Sequence, residues 1–163
     1  MVLSMDLVKR NPRGPREKLM GMVWLPRVID KARARLEGTL GEFSYGCPMD
    51  QHFFEFVGTT TEAFLDGVRG SPDDAAVTAW LKRTCSRFRE APEGLPSGTV
   101  VPTPPDAPAS AAIAEFNRML CELGPSSPES KARMAADARK IRPGCGEVCT
   151  WVGMIEVEEG VAN

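Results

Sequence analysis

Arg27, Lys31 and Arg35 follow one another at intervals of four residues, the spacing that lines side chains along one edge of a helix. Asp30 and Arg33 stand beside that edge, and Trp24 just ahead of it. A guanidinium presents paired N–H groups that match the oxygens of a carboxylate or phosphate. Trp24, Arg27, Asp30, Lys31 and Arg35 therefore form a candidate site for a small anionic ligand, or for a protein partner. The same residues have a plainer use. Like charges one turn apart disfavour a helix by roughly 0.2–0.5 kcal/mol per pair, and a solvated face paired with carboxylates elsewhere relieves that cost. The acidic stretch Glu156, Glu158 and Glu159 is the internal partner the chain offers.

A second candidate centres on a thiol. Cys47 precedes Pro48, and proline suits the first position of a helix, so Cys47 is expected at an N-cap. The positive end of the helix dipole favours a thiolate there, whereas Asp50 in the first turn opposes it. Cys47, Asp50 and His52 are the candidate catalytic set for thiol chemistry; a capping or buried cysteine is the bland alternative. Cys47 and His52, with Cys145 and Cys149, also have gaps within the ranges of structural zinc sites. The two pairs lie far apart in sequence and the tighter C-x-x-C spacing is missing, so no metal is assigned; two idle thiols, or a Cys145–Cys149 disulfide, account for the second pair. No G-x-S-x-G elbow, glycine-rich phosphate loop, dinucleotide fingerprint or zincin motif is present, and no motif names a cofactor. The P-x-x-P match at Pro105–Pro108 reads as linker.

The elements that must position these groups read as helices. Residues 1–14 form an irregular arm, and a short helical turn is expected from Pro15, closed by Gly21. The first strong helix covers Pro26–Glu37, with Leu25, Val28, Ile29, Ala32 and Leu36 on one face and Gly38 behind it. A second helix starts at Cys47–Pro48 and ends at Gly58. Thr59 with Glu62 is a capping-box pattern opening a third, closed by Gly70. Ser71–Asp74 opens a fourth, reaching toward Phe88. Residues 91–109 hold six prolines among small polar residues and read as a loop or linker. A fifth helix follows over about Ala109–Leu123, and a sixth from Ser127 to about Ile141 with a thin alanine face. The segment from Thr150 to Glu158 is rich in β-branched residues but has no partner strand in view, so it is an extended tail or short helix packed on the first helix. The expected fold is an all-α, single-domain bundle of five or six helices over residues 1–163 with an extended C-terminal tail.

Composition sets the outer bounds. The 163 residues are 42% hydrophobic and 26% charged with a net charge of -2, which gives no reason to expect nucleic acid or a membrane surface as partner. The first 36 residues carry nine bases against three acids, and the remaining 127 carry 11 against 19, so a positive amino-terminal quarter faces a negative remainder. No apolar run approaches the roughly 20 residues of a membrane helix, and Met1–Arg10 lacks the apolar core of a secretory signal. Five scattered cysteines point to free thiols in a soluble cytoplasmic protein.

Several blocks together resemble a known family. Pro15–Leu19, Trp24-Leu25-Pro26-Arg27, Ile29-Asp30-Lys31 and Arg33, followed by Cys47-Pro48, Asp50, Phe53, Phe56 and Gly58, are similar to the bacterial family named domain of unknown function 5069. Phe116-Asn117, Gly124-Pro125, Thr150-Trp151 and Glu156–Gly160 look like its second half, so the resemblance spans Pro15 to Gly160. It implies a small bacterial cytoplasmic helical protein and brings no activity, cofactor or catalytic residue. Cys145 and Cys149 fall outside its pattern, and Gly153 stands where an acid is expected. Taken together, the residues favour a non-catalytic binding or interaction protein with an anion site on the first helix, the alternative being a small thiol-dependent enzyme or redox protein centred on Cys47.

Overall fold

A computed structural model describes residues 4–85 and 107–160. Seven helices are present among them: α1 (Leu25–Glu37), α2 (Pro48–Val57), α3 (Thr61–Arg69), α4 (Asp74–Thr84), α5 (Ala107–Glu122), α6 (Pro128–Ile141) and α7 (Trp151–Glu158). The expected mainly helical class holds, but the count exceeds five or six because the tail is itself a helix. Its β-branched residues do not decide the matter: Thr150 caps the first turn by accepting from the Gly153 N–H at 3.1 Å, and the Trp151 N–H reaches back to the Leu123 carbonyl at 2.8 Å. Residues 91–106 of the proline-rich stretch, and Phe88, lie outside the described residues; its last part, from Ala107, already belongs to α5.

The helical turn expected from Pro15 is a hairpin instead. Strands β1 (Lys18–Leu19) and β2 (Met22–Val23) pair antiparallel, Lys18 opposite Val23 and Leu19 opposite Met22. The two linking residues, Met20 and Gly21, have φ of 53° and 76°, the left-handed pair that a tight hairpin turn needs. Gly21 turns the chain rather than ending a helix. Caps explain most other boundaries: Gly38 and Gly58 take left-handed conformations behind α1 and α2, and Asp73 and Ser127 cap α4 and α6. The third helix is capped by Thr60, one residue later than Thr59, through the Ala63 N–H.

The main core joins β2, α1 to α5 and α7. Phe53, Phe54, Phe64 and Phe116 meet in edge-on contacts around Leu25, Val28 and Ile29. A smaller cluster beneath α6 and α7 uses Met134, Ala138, Val148 and Val157. The arm is docked: Met5 and Leu7 cover Ala34, and the Leu7 N–H donates to the Thr39 carbonyl at 2.9 Å. Consequently α1 is buried from Leu25 to Ala34 on every side, charges included. The solvated cationic edge read from its spacing is wrong for Arg27 and Lys31; only Arg35 is exposed.

Candidate functional site

Three charged clusters surround α1. The innermost joins it to the start of α2. Asp50, 0% exposed, accepts from Lys31 Nζ at 2.6 and 2.7 Å, from Trp24 Nε1 at 2.8 Å, and from the Gly46 N–H at 2.8 Å. Lys31 spends a further donor on the Ser44 carbonyl at 3.1 Å. Trp24 reaches Asp50 from a left-handed backbone, φ 71°. For a bulky residue that conformation costs on the order of 1–3 kcal/mol and persists only where surrounding contacts dictate it. Here the indole is fully buried and both Lys31 and Arg27 lie over its ring, each at 5.4 Å.

The second cluster links α1 to the end of α7. Arg27 makes a fork with both oxygens of Glu159, its Nη1 also donating to the Arg13 carbonyl at 3.1 Å. The acidic tail thus supplies the partner of Arg27, while Glu156 takes Arg16 and Glu158 is exposed. Beside this pair a cavity of about 510 Å³ is lined by Trp24, Arg27, Lys31, Phe43 and Cys47 among others. Cys47 occupies the expected N-cap, without a side-chain cap bond, and its Sγ is 3.5 Å from Lys31 Nζ.

The remaining sequence candidates do not converge there. His52 follows Asp50 by two positions, about 200° around the helix, on the side away from the Lys31 pair. Arg35 lines a separate depression with Tyr45 and Glu62. Among the described residues no three His, Cys, Asp or Glu side chains come close enough to share a metal ion, so Cys47, His52, Cys145 and Cys149 do not assemble. All five cysteines are free thiols. Burial pushes the thiols of Cys85 and Cys121 above their ordinary range.

The third cluster escaped the sequence reading. Asp30, on α1 one turn from Arg27, accepts from Arg13 three ways: the backbone N–H at 2.8 Å, Nε at 3.0 Å and Nη2 at 2.7 Å. Arg13 Nη1 continues to Asp74 in the first turn of α4, and Asp74 also receives Arg33 Nη1 at 3.0 Å. Burial opposes the Arg13 charge, but hydrogen bonds to Asp30 and Asp74 outweigh it and hold the guanidinium firmly protonated. Arg33 is 2% exposed, yet its Nε and Nη2 have no partner. These two nitrogens form one edge of the guanidinium, the edge that grips paired oxygens. Arg33 lines a cavity of about 630 Å³ bounded by the arm, α1, Asp74, and Glu156 and Glu159 from the end of α7, its two unpaired nitrogens lying just beneath the accessible surface. Arg13, Arg16 and Asp74 were missed because their partners lie 17 to 140 residues away. One available signal was the run Pro12-Arg13-Gly14-Pro15-Arg16, whose prolines stiffen the backbone that aims both arginines.

Fold and site together define a helical protein whose central helix is buried with its charges and neutralised by carboxylates from three other segments. The profile described as "Domain of unknown function (DUF5069)" matches residues 9–94, just over half of the chain, and the protein belongs to that family. The match covers the arm from residue 9, the hairpin and α1 to α4; the resemblance read across the second half, from Phe116 to Gly160, falls outside it. Among curated proteins none matches the chain. Among the described residues no helix is long and apolar enough to cross a membrane.

Proposed function

We propose that this protein is a non-catalytic binding protein that captures a small carboxylate- or phosphate-bearing molecule in the cavity beside Arg33. One observation carries the reading: a buried guanidinium with an entire unpaired N–H edge belongs to a residue that lines a cavity of ligand size. Leaving a buried donor unsatisfied costs about 1–3 kcal/mol, more for a charged group, and two oxygens of an anion would satisfy both donors at once. The Trp24 cavity is a poorer anion site, because Arg27 and Lys31 are already committed to Glu159 and Asp50, which a ligand would have to displace.

The test is a thermal-shift and calorimetric panel of carboxylates and phosphates against the full chain and Arg33→Met. A specific ligand raises stability as RT ln(1 + [L]/Kd), about 2.7 kcal/mol at a hundredfold excess over Kd. No stabilisation by any member, or stabilisation that persists in Arg33→Met, refutes the reading.

A second reading keeps Cys47 as a reactive thiol, favoured by Lys31 Nζ at 3.5 Å and by its place at the start of α2. Its weakness is that His52 stands on another side of α2 and Asp50 is already committed to Lys31, Trp24 and Gly46. Iodoacetamide rates at Cys47 across pH decide it: a rate already near its plateau at pH 7, lost in Lys31→Met, supports thiol chemistry, and an ordinary thiol profile removes it.

A further inference from the structure

The Arg33 cavity is also lined by a group of opposite character. Glu156 is 4% exposed, and among the described residues only its Oε1 is engaged, by Arg16 Nε at 2.6 Å. Glu156 lines the same cavity as Arg33, so one wall holds both a carboxylate with an oxygen outside that pair and a guanidinium with an unpaired N–H edge.

Arg13 and Arg33 are balanced by Asp30 and Asp74, Arg16 by Glu156, and Glu159 by Arg27. Arg10 and Glu17, the other charged residues of the lining, offset one another in sign, so the lining together with Arg27 is neutral before any ligand arrives. A bare anion on Arg33 would leave one uncompensated negative charge near the carboxylates of Asp30, Asp74 and Glu156, where poor screening makes repulsion costly. A ligand that brings its own cation avoids that cost and supplies the N–H donors that Glu156 Oε2 can accept.

Building on the anion reading, we infer that the ligand is a zwitterionic amino-carboxylate, a free amino acid or a close relative, its carboxylate on the Nε–Nη2 edge of Arg33 and its ammonium on Glu156 Oε2. A cavity of about 630 Å³ accommodates a molecule of that class with its side chain.

The experiment is isothermal titration of the full chain with α- and ω-amino acids of increasing size, each beside its N-acetyl derivative, which keeps the carboxylate and removes the ammonium. At least one amino acid binds about 10- to 100-fold tighter than its N-acetyl form, the range expected for a hydrogen bond to a charged group. Glu156→Gln abolishes that difference. Arg16→Gln breaks the same ion pair but leaves the acceptor, so it preserves the difference and controls for the structural effect of the pair. If N-acetyl forms bind as well as their parents, or the preference survives Glu156→Gln, the zwitterion inference is overturned while anion capture by Arg33 stands. If no carboxylate binds, both fall. Should Glu156→Gln fail to fold, the wild-type comparison and Arg16→Gln still decide the question.

Discussion

Replacing Lys31 by methionine removes the ammonium from a carboxylate that is fully shut off from water. Asp50 would keep only the Trp24 indole N–H and the Gly46 N–H, both at 2.8 Å. Breaking a buried ion pair by deleting one member costs about 3–5 kcal/mol, because the survivor is left uncompensated. We therefore expect Lys31→Met to lose about 3–5 kcal/mol, a fall in Tm of roughly 6–20 °C for a chain of this size. Asp50→Leu strands the ammonium instead and suffers a similar loss. The double variant Lys31→Met/Asp50→Leu strands no charge, only the two N–H groups, and is expected to lose no more than either single change. Urea unfolding followed by far-UV circular dichroism measures all three without relying on the indole that touches the pair. Additive losses in the double variant, or a single-variant loss below about 1 kcal/mol, would falsify the view that these two charges depend on each other.

Three further perturbations probe other parts of the scaffold. Gly67→Ala should destabilise: the new Cβ would enter the Trp80 ring, and overpacking of about 1–3 kcal/mol outweighs the roughly 1 kcal/mol gained in helix propensity, an outcome read from the urea midpoint. Arg13→Gln cuts the bridge from the arm to Asp30 and Asp74, so trypsin should cleave after Lys9 and Arg10 faster than in wild type while the α1 to α4 core persists; unchanged cleavage would show that Met5 and Leu7 dock the arm unaided. Burial raises the folded-state pKa of Cys85 and Cys121, so both favour the neutral thiol in the fold. Any stability this contributes is present below the unfolded thiol value and fades as pH rises through the folded one. At pH 8, peptide mapping after brief iodoacetamide treatment should find these two labelled last.

Much of the helical framework was legible locally. The helix over Leu25–Glu37 announced itself through apolar residues at helical spacing and a glycine behind them, and Pro48, Asp73 and Ser127 marked their helix starts because capping is settled within a few residues. Thr150–Glu158 and Lys18–Val23 were not legible. A β-branched segment becomes a strand only beside a strand edge, and a left-handed Met20 is fixed by its hairpin, not by its side-chain type.

The candidate site divides along the same line. Sequence alone established that the cations of α1 need negative counterparts, and that the C-terminal acids could provide one: Arg27 with Glu159 is that pairing. It could not assign Lys31 to Asp50, Asp30 to Arg13, or Arg33 to Asp74, because each pairing is chosen by how separate segments dock around one buried helix. Nor could any spacing announce that Arg33 keeps one edge unpaired, or that it lines one cavity with Glu156. Unpairedness is a property of all the neighbours of a group at once, and only the packed chain brings those neighbours together.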